Sequence, residues 1–224
     1  MEITDASNQY AFWPLLLIVT GIAGGIGGSL VLIFLDKIWP KEGVALTILG
    51  MKGAGKTTLW NFITNDQLEK SSTAGADTVE ECWVEINGSE RKIKKSLDIS
   101  GSPDMVRAEY KNLIEKNDFI IFIFDVSILL KDNSKGYIDD VQDRLKVISK
   151  YMSEKKQIHI IGSHSDKLTK DKKKRTKYTK DIVSVLGKEF LINIGCDDIQ
   201  QNLILLDLTC MKEVETYIFK LLFK

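Results

Sequence analysis

The stretch that most narrows the folds open to this chain is Val44–Thr58, VALTILGMKGAGKTT. An apolar, β-branched run leads into closely spaced glycines, and Lys-Thr-Thr then opens a helical pattern. The spacing is G-x-x-x-x-G-K-[ST], which predicts a strand, a phosphate-wrapping bend and a helix in that order. Gly50, Gly53 and Gly55 let the backbone bend and turn its N–H groups toward an anion. The helix opening at Lys56 adds the positive end of its dipole. The phosphate-binding set is therefore Gly50, Met51, Lys52, Gly53, Ala54, Gly55, Lys56, Thr57 and Thr58. Within it the Lys56 ammonium suits the β- and γ-phosphates and the Thr57 hydroxyl suits Mg²⁺. A plain glycine turn is the competing reading, and the strand before and helix after speak against it.

The second strong constraint is Ala11–Leu35, which holds no charged residue. At about 1.5 Å per residue such a helix is long enough for a bilayer core. A cleaved signal peptide fits poorly, because acidic Glu2 and Asp5 precede the run, no Lys or Arg does, and no A-x-A site follows. The expected organisation is a short extracytoplasmic amino terminus (1–10), a transmembrane helix (11–35), a short linker (36–43) and a nucleotide-binding domain (44–224). Lys37 and Lys41 place the amino terminus outside and the domain in the cytoplasm, and Trp13 and Trp39 fall where interfacial aromatics sit. Gly21-x-x-x-Gly25 and Gly24-x-x-x-Gly28 allow two such helices to pair closely.

Composition excludes several other classes. Lys plus Arg and Asp plus Glu are both 31, so no net charge draws the chain to nucleic acid. Cys82, Cys196 and Cys210 form no CxxC pair and are joined by only two histidines, which argues against a disulfide framework or a zinc site. Buried, reduced thiols are expected.

Along the domain, Thr57–Ile63 reads as a helix and residues 64–77 as a loop. Val79–Ile86 alternates, Asn87-Gly88 is a strong hairpin turn, and Lys92–Leu97 returns as its antiparallel partner. Asp98 then stands at a strand end, opening D-x-x-G at Asp98-Ile99-Ser100-Gly101. After a strand and downstream of a phosphate loop, this tetrad points to Asp98 holding Mg²⁺ and the Gly101 N–H sensing a γ-phosphate. Met105–Glu115 is helical. Phe119–Val126 is a continuous apolar run, as in a central strand buried on both faces. Ile138–Met152 is an amphipathic helix, with Val141, Leu145, Val147, Ile148 and Tyr151 available to pack. Ile158–Ile161 is the next strand, ending in Ser163-His164-Ser165-Asp166. Lys170–Lys180 is a basic helix start facing solvent or a lipid or partner surface. Leu203–Leu208 is the last strand, followed by Thr209-Cys210-Met211 and a helix packing through Val214, Tyr217, Ile218, Leu221 and Leu222. The fold class is α/β, a three-layer phosphate-loop fold with a mostly parallel sheet and one antiparallel strand pair.

Taken in order, Gly50–Thr57, Asp98–Gly101, Asp166 and Thr209-Cys210 resemble the small GTPase (Ras-like, translation-factor-related) superfamily over residues 44–224. With the apolar run in front, the chain is most similar to the signal-recognition-particle receptor β-subunit and ADP-ribosylation-factor branch. The resemblance implies GTP/GDP and Mg²⁺ as cofactors, guanine read by Asp166, and Thr209 and Cys210 in the last base-contacting loop. It also implies a catalytic and metal-closing switch threonine, taken as Thr73 over Thr78. Two positions depart from the pattern. Ser163-His164-Ser165 replaces N/T-K-x before Asp166, leaving His164 to stack on the base or to lie on the surface. Ser102 stands where Ras-like members carry a water-orienting Gln, implying slow hydrolysis unless a partner helps.

Two readings follow. One is a membrane-anchored GTP switch that recruits or gates a protein partner at the cytoplasmic face. The other is a receptor subunit or scaffold that holds nucleotide without turning it over. An ATP-using phosphate-loop protein is a more distant third.

Overall fold

The computed structural model describes residues 43–64, 75–86, 89–153, 156–169, 171–194 and 199–223. The apolar run 11–35, Thr73, Asn87-Gly88 and Cys196 lie outside them. Among the described residues no helix is long and apolar enough to cross a membrane.

The strands are β1 (Leu46–Gly50), β2 (Ala76–Val79), β3 (Cys82–Ile86), β4 (Ser89–Ile93), β5 (Ser96–Ile99), β6 (Phe119–Asp125), β7 (Gln157–Ser163) and β8 (Leu203–Leu205). The helices are α1 (Lys56–Ile63), α2 (Pro103–Lys116), α3 (Val126–Leu129), α4 (Lys135–Tyr151), α5 (Lys172–Leu186), α6 (Lys188–Asn193), α7 (Ile199–Asn202) and α8 (Met211–Phe223). A 3₁₀ turn, Ser165–Lys167, follows β7.

The main sheet runs β1-β6-β7-β8, and every pairing in it is parallel. β6 is one of its two interior strands, with β1 on one side and β7 on the other. Its uninterrupted apolar sequence follows from that position, because neither face meets water and alternation would bury polar groups. Ile120 through Phe124 are all fully buried. The carboxyl ends of β1, β6 and β7 therefore converge at one edge, where a parallel sheet presents its ligand site.

The expected single antiparallel pair is two ladders, β2 with β5 and β3 with β4. The break lies at Glu80-Glu81 and Lys94-Lys95. All four are exposed, whereas Val79, Cys82, Ile93 and Ser96 are buried. Two exposed residues in succession violate the two-residue period of a strand, so the pleat restarts on each side. Salt bridges Glu81–Lys92 (2.7 Å) and Glu80–Lys95 (2.9 Å) span the interruption. β8 is also shorter than the run Leu203–Leu208, because Asp207 turns the chain. Its carboxylate accepts from the Thr209 N–H at 2.9 Å and the Thr209 hydroxyl at 2.6 Å.

The basic start of α5 is not wholly a solvated face. Arg175 is buried and donates to Glu213 at 2.5 Å, fastening α5 to α8. The apolar face of α8 packs as its spacing requires, with Val214, Tyr217, Ile218, Leu221 and Leu222 all buried. Of the cysteines, Cys82 is buried while Cys210 is half-exposed.

Candidate functional site

The site begins where β1 ends. Gly50 has φ 144°, and a methyl group there would collide with the Ile123 carbonyl of β6, so glycine lets the two strands close to the very end of β1. The Met51 N–H extends the ladder by donating to the Ile123 carbonyl at 2.9 Å. Beyond it the chain turns outward. Lys52 and Gly53 are exposed, and Met51 and Ala54 tuck inward as the loop's apolar footing. The Lys56 ammonium folds back across the loop and donates to the Met51 carbonyl at 3.0 Å. Burial draws its pKa down to about 8, against the pull of Asp98 upward and with help from Arg144. Thr58 points to solvent on α1.

Asp98 reaches this loop from β5. It is almost completely buried, and its carboxylate accepts from the Thr57 hydroxyl at 2.5 Å. A hydroxyl and a carboxylate side by side are the hard oxygen donors that Mg²⁺ takes. The residues present thus fit a magnesium ion beside a phosphate. Gly101 closes the same corner. Any side chain there would strike the Lys52 amide and the Met51 and Gly50 carbonyl groups, so the D-x-x-G segment lies directly on the phosphate loop. Ser102 caps α2 instead of facing the loop, its hydroxyl accepting from the Met105 N–H at 3.5 Å.

The remaining residues come from the ends of β6, β7 and β8. His164 takes a left-handed backbone, φ 56°, at the turn after β7. Its Nε2 lies 3.4 Å from the Gly53 carbonyl and 3.8 Å from a carboxylate oxygen of Asp125. His164 thus ties the β7 loop to the phosphate loop. Asp166 follows in the 3₁₀ turn, half-buried, and Ser163 is anchored below by donating to the Phe124 carbonyl at 3.0 Å. Thr209 and Cys210 follow Leu208, whose side chain occupies the space a Gly55 side chain would need, so this loop also lies against the phosphate loop. Burial works to raise the Asp207 pKa, but the Thr209 hydroxyl and N–H and the Arg175 charge hold it below the ordinary carboxylate value.

The structure thus gathers Lys56, Thr57, Asp98, Gly101, His164 and the Leu208–Cys210 segment around one loop. Thr78, the second choice for the switch threonine, is exposed on β2 and paired with Leu97. Sequence reasoning missed Asp125. It ends β6 and accepts from the Ser127 N–H at 2.8 Å and the Ser127 hydroxyl at 2.6 Å, with the Lys167 ammonium at 3.7 Å. An aspartate closing an apolar run at the carboxyl end of an interior strand was the available signal. Tyr110 and Arg144, which reach Gly50 from below, gave no signal inside their helical patterns.

A family model described as 50S ribosome-binding GTPase matches residues 45–164, more than half of the chain. The match runs from the start of β1 through His164, and so contains the phosphate loop and Asp98–Gly101. No curated protein matches the chain.

Proposed function

Because this chain belongs to the 50S ribosome-binding GTPase family, we propose that it binds GTP and GDP with Mg²⁺ and acts as a slow-hydrolysing switch, fixed to a membrane, that recruits or gates a protein partner. The observation that carries the reading is the meeting of Thr57 and Asp98 at 2.5 Å beside the buried Lys56. Those three groups supply a cation and two hard oxygen donors next to a loop of backbone N–H groups. Bound Mg²⁺ would neutralise charge developing on the β- and γ-phosphates. The chain's own part is positional. The loop N–H groups and Lys56 hold the phosphates, Thr57 and Asp98 hold the metal, and Gly101 lies where its N–H reports a γ-phosphate to α2. His164 secures the loop that carries Asp166, the residue proposed to read guanine, and Leu208 sets the Thr209-Cys210 loop against Gly55.

The switch device is the contact of Gly101 with the loop. Gly101 lies against Gly50, Met51 and Lys52, so a γ-phosphate that moves this loop would move Gly101 with it, and α2 starts two residues later. Thr73 is proposed as the second closing residue. The uncharged run 11–35 supports a membrane anchor and the finer placement with the signal-recognition-particle receptor β-subunit.

A second reading, a nucleotide-holding subunit with little turnover, is favoured by Ser102. Its hydroxyl caps α2, and so short a side chain cannot reach and orient an attacking water as a Gln does.

Full-length protein in detergent, tested with fluorescent GTP, GDP and ATP with and without Mg²⁺ and then for phosphate release, separates these readings. Guanine binding with slow multiple turnover supports the switch. Tight binding without turnover supports the second reading, and preference for ATP overturns both. Asp166→Asn is expected to move preference from guanine to xanthine nucleotides; unchanged preference would remove Asp166 from the base site.

A further inference from the structure

Arg144 occupies the middle of α4, on the face that carries Val141, Leu145 and Ile148 into the core. It is itself 8% exposed. One guanidinium nitrogen lies 3.4 Å from the Gly50 carbonyl, to which it donates, and the group also donates to the Tyr110 hydroxyl. That hydroxyl accepts from the Gly50 N–H at 3.0 Å, and the Tyr110 side chain is fully buried on α2. Two helices thus deliver an arginine and its holder to the first residue of the phosphate loop. Among the described residues, no carboxylate oxygen comes within 4.0 Å of this guanidinium. The contrast is Arg175, equally buried and paired with Glu213.

A buried charge without a counter-charge is expensive, and folds seldom keep one for packing alone. A neutral side chain would satisfy the Gly50 carbonyl equally well. The cation therefore needs another explanation, and its position offers one, because the end of β1 is where anionic phosphate is expected.

We propose that Arg144 is a fixed second cation of the phosphate site, held beneath Gly50 by Tyr110, with nucleotide phosphate as the counter-charge that no described carboxylate supplies within 4.0 Å. Arg144 does not touch the ligand; it is a positioning residue that acts by its field through the end of β1. The inference rests on the reading of Gly50–Thr58 as a phosphate site. It predicts that the contribution of Arg144 grows with the charge of the ligand, which a structural role would not produce.

The test compares GMP, GDP and GTP by displacement of a fluorescent GDP analogue from full-length protein in detergent. Arg144→Gln keeps a hydrogen-bond donor and removes the charge; Arg144→Lys keeps the charge. Arg144→Gln is expected to weaken GTP and GDP about tenfold and GMP clearly less, with Arg144→Lys recovering most of the loss. Equal losses for all three ligands, or no loss, would overturn the proposal. Should Arg144→Gln fail to fold by its thermal transition, Tyr110→Phe loosens the guanidinium without removing it. The same charge-graded loss, smaller in size, is then expected, and a flat response overturns the proposal. Failure of the unaltered protein to bind any of the three would instead overturn the phosphate-site reading, and the inference with it.

Discussion

The Thr57 hydroxyl donates to the Asp98 carboxylate at 2.5 Å, joining the first turn of α1 to the end of β5 across 41 positions of sequence. The two oxygens that suit a magnesium ion are therefore brought together by the fold before any metal arrives. Asp98 is 1% exposed, so this carboxylate is held by its surroundings and is not swinging in solvent. Asp98→Ala is expected to reduce the Mg²⁺ enhancement of GTP affinity by about tenfold or more. Titrating GTP with and without Mg²⁺ checks it. An enhancement equal to that of the unaltered protein would detach Asp98 from the metal.

Lys56 gives the affinity a pH dependence of definite sign. Its pKa in the ligand-free protein is lowered to about 8, and the phosphates need the protonated form. Affinity is therefore full below that value and falls as pH rises through it, by about tenfold per unit well above it. GDP binding measured from pH 6.5 to 9.5 without Mg²⁺ would show this limb. Lys56→Ala is expected to abolish binding, and tight binding retained by that variant would defeat the assignment of the loop.

Gly101 is expected to tolerate no side chain. In Gly101→Ala the added methyl meets the backbone of Gly50, Met51 and Lys52, which cannot yield without moving the phosphate loop. Nucleotide affinity should drop by well over tenfold while α2 and the main sheet persist, since the clash reaches only the last residue of β1 and none of α2. Circular dichroism together with GDP titration reads both halves. Unimpaired binding would show that the two segments part more easily than their contact implies.

These positions were legible in the sequence for a common reason. A phosphate loop and a D-x-x-G segment are short local patterns whose residue types are dictated by backbone geometry and by the ligand. Strand β6 was equally legible, because burial on both faces leaves only apolar residues from Phe119 through Phe124. What stayed hidden was set by contacts between distant elements. Arg144 lies among helix-spaced apolar residues, and nothing in that pattern says that its charge reaches inward to Gly50. Arg175 sits within a lysine-rich run whose other charged members conceal its pairing with Glu213. The split of the hairpin into two ladders was visible in Glu80-Glu81 and Lys94-Lys95, but only once their exposure was known could those doublets be told from ordinary surface charge. The seat of Asp166 depended on His164 replacing a lysine, and no local rule says where a histidine there would point.

His159 supplies a test of stability apart from the site. It lies on β7 with its ring at 75° to that of Tyr217, 6.4 Å between centroids, and its Nδ1 is buried with no hydrogen-bond partner among the described residues. Burial, with the Lys220 charge adding to it, lowers its pKa from 6.5 to about 4. As pH falls from 6.5 toward 4 the unfolded chain takes up a proton that the folded one refuses. Stability is therefore lost over that window, by about 1 kcal/mol per pH unit. His159→Phe keeps the ring contact and removes the titration. The difference in thermal midpoint between pH 7 and pH 5 should shrink in this variant; an unchanged difference would place the acid sensitivity elsewhere.

The parallel pairing of β1 with β6 also dictates the order in which this protein acquires its properties as it is made. Leu46 must wait for Phe119, and Gly50 for Ile123, before the strand that carries the phosphate loop has its ladder partner. A nascent chain that has emerged only through Gly101 already holds Lys56, Thr57 and Asp98, yet lacks the strand on which the loop rests. Contacts so far apart in sequence form slowly, and until they form an apolar strand lies open to other chains. Nucleotide capture is consequently a late event in the life of each molecule, and a prematurely terminated product ending before β6 would carry Gly50–Thr58 and Asp98 without the strand that holds them in place.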